Sequence, residues 1–350
     1  MKTVVVGTRK SALALTQTNQ VIQQLREICQ QDGLAYEFEV RPIVTKGDQI
    51  LEVTLSKVGG KGLFVKEIEL ALLNQEIDIA VHSMKDMPAE LAEGLVIGAI
   101  PRRADARDCI ISKGDLSFDE LPQGARVGTS SLRRSSQLKH LRPDLRIESI
   151  RGNIDSRLKK LEAEGFDAIL LAAAGLYRMG WLDRISAFLP TDECLPAVGQ
   201  GALGIECRAG DALMLDLLSR LQHEGTARCV LAERSFLRRL NGGCQVPIGA
   251  YASLVPAALP LPASATAAPL PTTSATAAPL PTTSTTAAPL PAAVPLLTLT
   301  GVVGSPDGTV LLRASLTGTN PEQLGLDLAD VLIAQGAEQI LAEGRMESHE

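Results

Sequence analysis

Short apolar runs that end in polar turns recur along the first half of the chain. Residues 3–7 predict a buried strand. The apolar positions within 21–28 repeat at helical spacing and predict a helix. Thr8 or Ser11 can cap this helix. Residues 125–128 and the helix after them repeat this order, with Val-Gly-Thr at both turns. The recurrence predicts two α/β domains built alike, although Gly-Thr is also common at unrelated turns of this kind.

Three further apolar runs, at 77–81, 145–150 and 167–171, predict strands, and each is followed by a polar turn. In open α/β sheets, ligands bind outside the carboxyl ends of the strands. We therefore expect the functional side chains to lie in these turns.

The pattern changes after about residue 220. A long amphipathic helix is predicted over 226–240 and another over 321–341. Between them, strands at 297–300 and 309–314 flank a Ser-Pro-Asp-Gly turn at 305–308, which is typical of a hairpin. These elements predict a third, smaller α+β domain, so the fold class is α/β with an α+β addition.

An uncharged insert interrupts the third domain at 255–295. A ten-residue repeat begins at Ser264, Ser274 and Ser284, and the segment from Pro256 to Pro295 holds ten of the 20 prolines. Because this composition cannot bury a core, we expect a disordered, polyproline-like segment that joins two neighbouring strands. Its prolines exclude a spanning helix. Lengthening a loop from about four to about forty residues costs only about 2 kcal/mol of closure entropy.

Composition and charge exclude several classes of protein. The 350 residues carry a formal net charge of -6 and only 3% aromatics, which argues against a nucleic-acid or anionic-membrane binder. The start of the chain is too weakly apolar for a signal peptide. The six cysteines form no Cys-x-x-Cys pair, so we expect free thiols in a reducing cytoplasm and no metal site.

Cationic side chains nevertheless gather at the predicted strand ends. Their position at the mouths of two sheets, beside glycines and helix N-termini, favours a pocket for a polyanion, and the many arginines favour carboxylate or phosphate groups. The glycine- and lysine-rich segment 55–64 lacks the spacing of a nucleotide-binding P-loop. The cations are Arg9, Lys10, Lys57, Lys61, Lys85, Arg133, Arg134, Arg151, Arg157 and Arg178.

Two further residues carry candidate chemistry. Asp86 follows a strand and lies among the cations, so it is either an ion-pair partner or an acid, base or counter-charge in a reaction. Cys244 follows two glycines and precedes Gln245. Most single cysteines are buried apolar residues, but this local sequence favours an accessible thiol that is a nucleophile or an attachment point.

Five motifs together resemble one known family, that of porphobilinogen deaminase, also called hydroxymethylbilane synthase. They are KVGGKGLFVK at 57–66, AVHSMKD at 80–86, VGTSSLRR at 127–134, LPAVGQG at 195–201 and GGCQVPIG at 242–249. The resemblance follows the chain in order and leaves out only the insert.

The resemblance implies two periplasmic-binding-protein-like α/β domains that enclose a cleft, and a third domain that carries a covalent dipyrromethane cofactor. The implied division is 1–100 with 200–219, then 101–199, then 220–350 including the insert. The implied reaction joins four porphobilinogen molecules head to tail onto the cofactor, releases ammonia, and frees hydroxymethylbilane by hydrolysis for porphyrin biosynthesis. Asp86 would be the catalytic carboxylate, and Cys244 would hold the cofactor through a thioether.

The same resemblance assigns the binding residues. Cofactor contacts are expected, besides Cys244, from Ser83, Lys85, Thr129, Ser131, Arg133, Arg134, Arg157 and Gly175. Substrate contacts are expected from Arg9, Ser11, Lys57, Lys61, Phe64, Arg151, Arg178 and Gln200. We expect a cytoplasmic monomer without nucleic-acid or membrane partners. The alternative is a non-catalytic protein that binds small organic anions, a role for which Asp86 and Cys244 are superfluous.

Overall fold

The computed structural model describes residues 2–49, 64–241, 246–255 and 294–347. The strands are β1 Lys2–Arg9, β2 Tyr36–Ile43, β3 Ile79–Ser83, β4 Leu95–Ala99, β5 Asp108–Ser112, β6 Arg126–Gly128, β7 Arg146–Glu148, β8 Ala168–Ala172, β9 Ala187–Phe188, β10 Leu203–Arg208, β11 Ile248–Leu254, β12 Leu297–Gly304 and β13 Leu311–Gly318. The helices are α1 Ala12–Asp32, α2 Lys46–Gln49, α3 Lys66–Leu73, α4 Leu132–Leu141, α5 Ile154–Ala163, α6 Ala173–Met179, α7 Ala212–Ser219, α8 Glu224–Arg239, α9 Pro321–Ala334 and α10 Ala337–Glu347.

The first sheet has the strand order β2-β1-β3-β10-β4. Strand β1 runs parallel to β2 and β3, whereas β10 is antiparallel to β3 and β4. Helix α1 begins at its cap Ser11, whose hydroxyl accepts from the Ala14 amide, and packs Val21 and Leu25 against Val4 on the sheet. The predicted strand, cap and apolar helix face are therefore confirmed.

The second sheet repeats this arrangement with the order β7-β6-β8-β5-β9. Strand β6 lies between its parallel neighbours β7 and β8, and antiparallel β5 comes fourth, next to β9. Each sheet thus places its first strand-turn-helix unit at the same position. The recurrence of Val-Gly-Thr reflects a shared topology, and the prediction of two α/β domains built alike is confirmed.

The third unit is the antiparallel sheet β11-β12-β13, covered by α8 and α9. Phe236 is fully buried in its core, where the side-chain-free Gly301 leaves room for the Phe236 ring. Leu254 pairs with Leu297, so the strands on either side of the insert are neighbours, as predicted. The ten-residue repeat itself lies outside the described residues.

The predicted closing helix over 321–341 is the main error in the elements. It is two helices, α9 and α10, with Gly336 between them at φ 101°, a conformation that ends an α-helix and suits glycine. One glycine in an amphipathic pattern did not reveal this break, because single glycines are tolerated inside helices. Among the described helices, none combines the length and the apolar character needed to cross a bilayer.

Candidate active site

The first part of the site is the turn that ends β3. A short 3₁₀ helix, Met84–Asp86, follows the strand directly. Met84 is buried, and Gly204 on β10 is so close that a Cβ there would lie 2.3 Å from the Met84 sulfur. This packing anchors the turn and leaves Ser83, Lys85 and Asp86 partly exposed. The predicted strand-end position of Asp86 is confirmed.

Electrostatics place side chains of both α/β domains around this turn. Burial lowers the pKa of Lys85 to about 8, an effect that the charges of Asp86 and Asp108 oppose and those of Arg134 and Arg133 reinforce. The charges that act on Lys85 therefore come both from its own turn and from β5 and α4 of the second domain.

Arg157 on α5 belongs to the same cluster. Burial, together with the charges of Arg134 and Arg151, lowers the pKa of Arg157 to about 10, and Asp86 opposes this shift. Burial also lowers the pKa of Arg151. Guanidinium groups that are costly to bury in this way are well suited to bind carboxylates, which would restore their usual pKa.

The second-domain wall is built at the N-terminus of α4. The Ser131 hydroxyl caps the helix by accepting from the Arg134 amide, and the Thr129 hydroxyl accepts from the Ser131 amide at 3.2 Å. The short segment between β6 and α4 therefore fixes the positions of Arg133 and Arg134, in the first turn of the helix.

Arg133 and Arg134 are both buried, and both bind the Asp108 carboxylate at 2.7 Å. Arg133 also donates to the Leu195 carbonyl and Arg134 to the Leu170 carbonyl. They are thus held rigidly, in contrast to the solvated surface cations that a sequence pattern alone would allow.

The motif at 195–201 passes through the junction of all three units. The Gln200 side chain donates to Asp108 at 2.8 Å, the Gly199 amide donates to Glu233 on α8 at 2.6 Å, and the Gly201 carbonyl accepts from Arg178 at 2.7 Å. We call the segment 195–201, which leads from the second domain back to the first, the crossover. Gln200 and Arg178, both expected to contact substrate, therefore lie at this crossover.

The remaining predicted positions lie around α1 and α6. Arg9, at the end of β1, pairs with Asp48, with a 3.1 Å distance from Nε to Oδ1, and stacks over the Phe64 ring at 4.1 Å. Gly175 is buried on α6, where a Cβ would lie 2.8 Å from Ile154 and 3.8 Å from Leu13 of α1. Lys10 is exposed. Three predicted site residues lie outside the described residues: Lys57, Lys61 and Cys244.

Comparison with known proteins decides which family this site belongs to. The family model "Porphobilinogen deaminase, dipyromethane cofactor binding domain" matches residues 4–216, and "Porphobilinogen deaminase, C-terminal domain" matches residues 227–264. The chain is 57% identical to the porphobilinogen deaminase of Paenibacillus macerans, with 96% of this chain and 98% of that protein covered. The chain belongs to the porphobilinogen deaminase family.

Other porphobilinogen deaminases are similarly close. The Bacillus cereus protein is 54% identical, with 99% of each chain covered, and the Shouchella clausii protein is 51% identical, with 99% of each chain covered.

Two of the solved structures that match are more distant in sequence. A TRAP periplasmic solute binding protein from Desulfovibrio salexigens has 11% identity and a TM-score of 0.40, with 63% of this chain and 72% of that chain covered. A YaeC-family lipoprotein from Enterococcus faecalis has 15% identity and a TM-score of 0.40, with 65% and 94% covered.

The side chains fit the dipyrromethane group that the porphobilinogen deaminase family model names. A dipyrromethane built from this substrate bears several carboxylates, and the site offers Lys85, Arg151 and Arg157 with pKa values lowered by burial. Of these, Lys85 and Arg157 would hold carboxylates of the dipyrromethane through charge-assisted hydrogen bonds.

Two carboxylates that bind arginines of this site, Asp108 and Asp48, were not predicted from the sequence. Asp108 was missed, although a charged residue at the start of the apolar run Cys-Ile-Ile was a usable signal. Asp48 was missed because its partner Arg9 is 39 positions away. Neither pairing follows from local pattern, since only the sheet order brings the partners together.

Proposed function

We propose that the protein acts as a porphobilinogen deaminase, joining four porphobilinogen molecules head to tail on a dipyrromethane primer and releasing ammonia and hydroxymethylbilane. The observation that carries the proposal is the electrostatic coupling of one carboxylate, Asp86, to Lys85 and Arg157, which come from different α/β domains. Substrate carboxylates would bind the cations while Asp86 faces the reacting carbon.

Asp86 is the proposed catalytic residue. When the aminomethyl nitrogen leaves as ammonia, the substrate carbon becomes cationic, and a nearby carboxylate stabilises that charge. At a separation of about 4 Å and an effective dielectric near 20, the Coulomb attraction is about 4 kcal/mol before desolvation. Because a single carboxylate would serve every addition, the growing chain must move through the site.

The other expected residues are proposed to bind. Substrate carboxylates would contact Arg9, Ser11, Arg151, Arg178 and Gln200, with Lys57, Lys61 and Phe64 on the segment that follows α2. The primer, which supplies the first acceptor carbon when bound, would contact Ser83, Lys85, Thr129, Ser131, Arg133, Arg134, Arg157 and Gly175, and would be attached to Cys244 through a thioether.

Supporting observations favour Cys244 as the attachment point. The other five cysteines, Cys29, Cys109, Cys194, Cys207 and Cys229, are buried free thiols. Burial raises the pKa of Cys109 and Cys194 to about 12, which makes them poor nucleophiles.

We further propose a cytoplasmic monomer divided into residues 1–100 with 200–219, 101–199 and 220–350. The pairing of β10 with β3 and β4 supports the return of the chain to the first domain. Five unpaired thiols suit a reducing compartment. Sedimentation of the purified protein tests the monomer directly.

The activity is tested by incubating the purified chain with porphobilinogen and measuring ammonia and linear tetrapyrrole. We expect four ammonia molecules per tetrapyrrole. Saturable binding of porphobilinogen without ammonia release would instead support a non-catalytic anion-binding protein and would overturn the proposal.

Attachment of the primer is tested by denaturing mass spectrometry. We expect active protein to be heavier than its sequence, and Cys244→Ser to have the bare mass; Cys229→Ser is the matched control and should keep the extra mass. An adduct that persists in Cys244→Ser would contradict the thioether.

A further inference from the structure

A fully buried carboxylate, that of Asp108, lies against Arg133 and Arg134 at the start of α4. Asp108, the first residue of β5, uses both of its oxygens: Oδ1 accepts from Arg134 at 2.7 Å and Gln200 at 2.8 Å, and Oδ2 accepts from Arg133 at 2.7 Å. The Cys194 sulfur lies 3.5 Å from Oδ2. Burial alone would raise the pKa of Asp108, but the charges and hydrogen bonds of the two arginines outweigh it and hold the pKa well below its usual range.

We infer that Asp108 is a positioning residue for the reaction, which sets the orientation of Arg133, Arg134 and Gln200 and supplies negative charge beside Lys85. This inference rests on the proposed function, because it assigns these cations to the primer and substrate carboxylates. Asp108 touches neither the substrate nor the reacting carbon, and acts through the side chains that do.

The hydrogen bonds constrain each guanidinium in more than one direction. Arg134 binds Asp108 through both Nε and Nη2, and its Nη1 donates to the Leu170 carbonyl on β8. Arg133 binds Asp108 and the Leu195 carbonyl through Nη1. Since a planar guanidinium bound to two acceptors in different directions has little rotational freedom, its remaining N–H groups keep a fixed direction.

Gln200 joins the crossover to this cluster. Its amide nitrogen donates to both Asp108 and the Ala106 carbonyl, and its backbone carbonyl accepts from Arg103 at 2.7 Å. The Asp108 carboxylate therefore fixes groups from α4 and from the crossover between the second and first domains. The relative position of α4 and this crossover depends on it.

The charge balance distinguishes this cluster from an ordinary buried ion pair. Two arginines share one carboxylate, so the cluster keeps an excess positive charge, which is costly in a protein interior unless an anion binds. Arg103 and Glu233, by contrast, form a matched one-to-one pair. This excess positive charge behind the site is what a ligand with several carboxylates would stabilise.

Asp108 also acts on Lys85. Among the charges that act on Lys85, Asp86 and Asp108 favour its protonated form, and Arg134 and Arg133 disfavour it. Removing the Asp108 charge leaves the two arginines opposed by one carboxylate fewer. Lys85 would then lose its proton at a lower pH, and the affinity of the site for carboxylates would fall in the same range.

The test compares Asp108→Asn with the wild type as full-length, adduct-bearing proteins in one porphobilinogen assay. We expect kcat/KM to fall about tenfold or more, and the alkaline limb of its pH profile to move down by about one unit. The matched control is Asp78→Asn, which removes an arginine-bound carboxylate at the opposite end of β3, where it accepts from Arg208 and the Val5 amide. The control should keep the wild-type pH profile.

A second variant separates orientation from charge. Asp108→Glu keeps the charge but displaces the carboxylate by one methylene, so we expect a raised KM with an unmoved alkaline limb. If Asp108→Asn does not fold, Asp108→Glu alone tests the positioning role. A wild-type KM in Asp108→Glu would then overturn the inference.

The remaining outcomes are equally decisive. Folded Asp108→Asn with the wild-type kcat/KM and pH profile overturns the positioning role alone. A wild type that does not convert porphobilinogen overturns the proposed function and this inference with it.

Discussion

At the scale of single residues, the site contains titratable groups whose pKa values depend on the charges of their neighbours. Lys85 follows the buried Met84, and burial lowers its pKa to about 8, so its charge changes within the range that an assay can cover. Asp86 is the next residue, and its charge opposes that shift. The sequence predicted both residues because they follow an apolar strand directly.

The pKa of Lys85 leads to a pH prediction. Lys85 is cationic below about pH 8 and loses its proton as the pH rises through that value. Because only the cation binds carboxylates, we expect kcat/KM for porphobilinogen to decline above about pH 8. In Lys85→Arg, the side chain stays charged to a much higher pH, so the decline should disappear from the measured profile. The same limb in wild type and Lys85→Arg would contradict this assignment.

Residue pairings were harder to predict than residue positions. Arg133 and Arg134 were found from the motif at 127–134, but their shared carboxylate, Asp108, is 25 and 26 positions away. Their partners became apparent only when β5, β6 and β8 were placed in one sheet. The sequence pattern therefore predicted the cations of the site, and the tertiary fold was needed to show how they are held.

At the scale of elements, the crossover at 195–201 links the three units. Gly199 lies at φ 69°, and a Cβ there would lie 2.7 Å from the Met84 Cβ and 3.2 Å from the Met84 carbonyl carbon. This close approach holds the crossover against the turn that carries Lys85 and Asp86. A local pattern cannot reveal such a contact, just as it did not reveal the break at Gly336.

Replacing Gly199 by alanine should therefore destabilise the protein and impair the site. We expect a loss of about 2–4 kcal/mol in the free energy of unfolding, since positive-φ strain adds to a backbone collision. Gly180→Ala is the matched control: Gly180 has φ 74° but open space around it, so we expect a loss of only about 1 kcal/mol. Urea unfolding measures both, and equal losses would show that the contact with Met84 is unimportant.

At the scale of the whole molecule, the organisation was predictable because two levels of pattern agreed. Alternating strands and helices indicated the two α/β domains, and the uncharged repeat marked an insertion within the third unit. The direct pairing of Leu254 with Leu297, together with the hydrogen bond from the Val255 amide to the Leu296 carbonyl at 2.8 Å, indicates that β11 and β12 need no long connection.

Replacing residues 256–295 by Asn-Gly should therefore preserve the fold and the activity. A two-residue Asn-Gly loop suits a hairpin of this register, and shortening the connection recovers at most about 3 kcal/mol of closure entropy. We expect an unfolding free energy equal to or slightly above that of the wild type, with kcat within about twofold. Loss of the covalent adduct in this variant would show instead that the insert is needed for primer attachment.

In the proposed mechanism, one carboxylate, Asp86, extends a covalently held chain step by step. Denaturing mass spectrometry of the purified protein, after mixing with a few equivalents of porphobilinogen, detects these steps. We predict a series of masses above that of the adduct-bearing protein, spaced by one pyrrole unit, and the adduct mass alone for Asp86→Asn. A wild-type protein that gives no series, or an Asp86→Asn variant that gives the full series at the wild-type rate, would contradict the account.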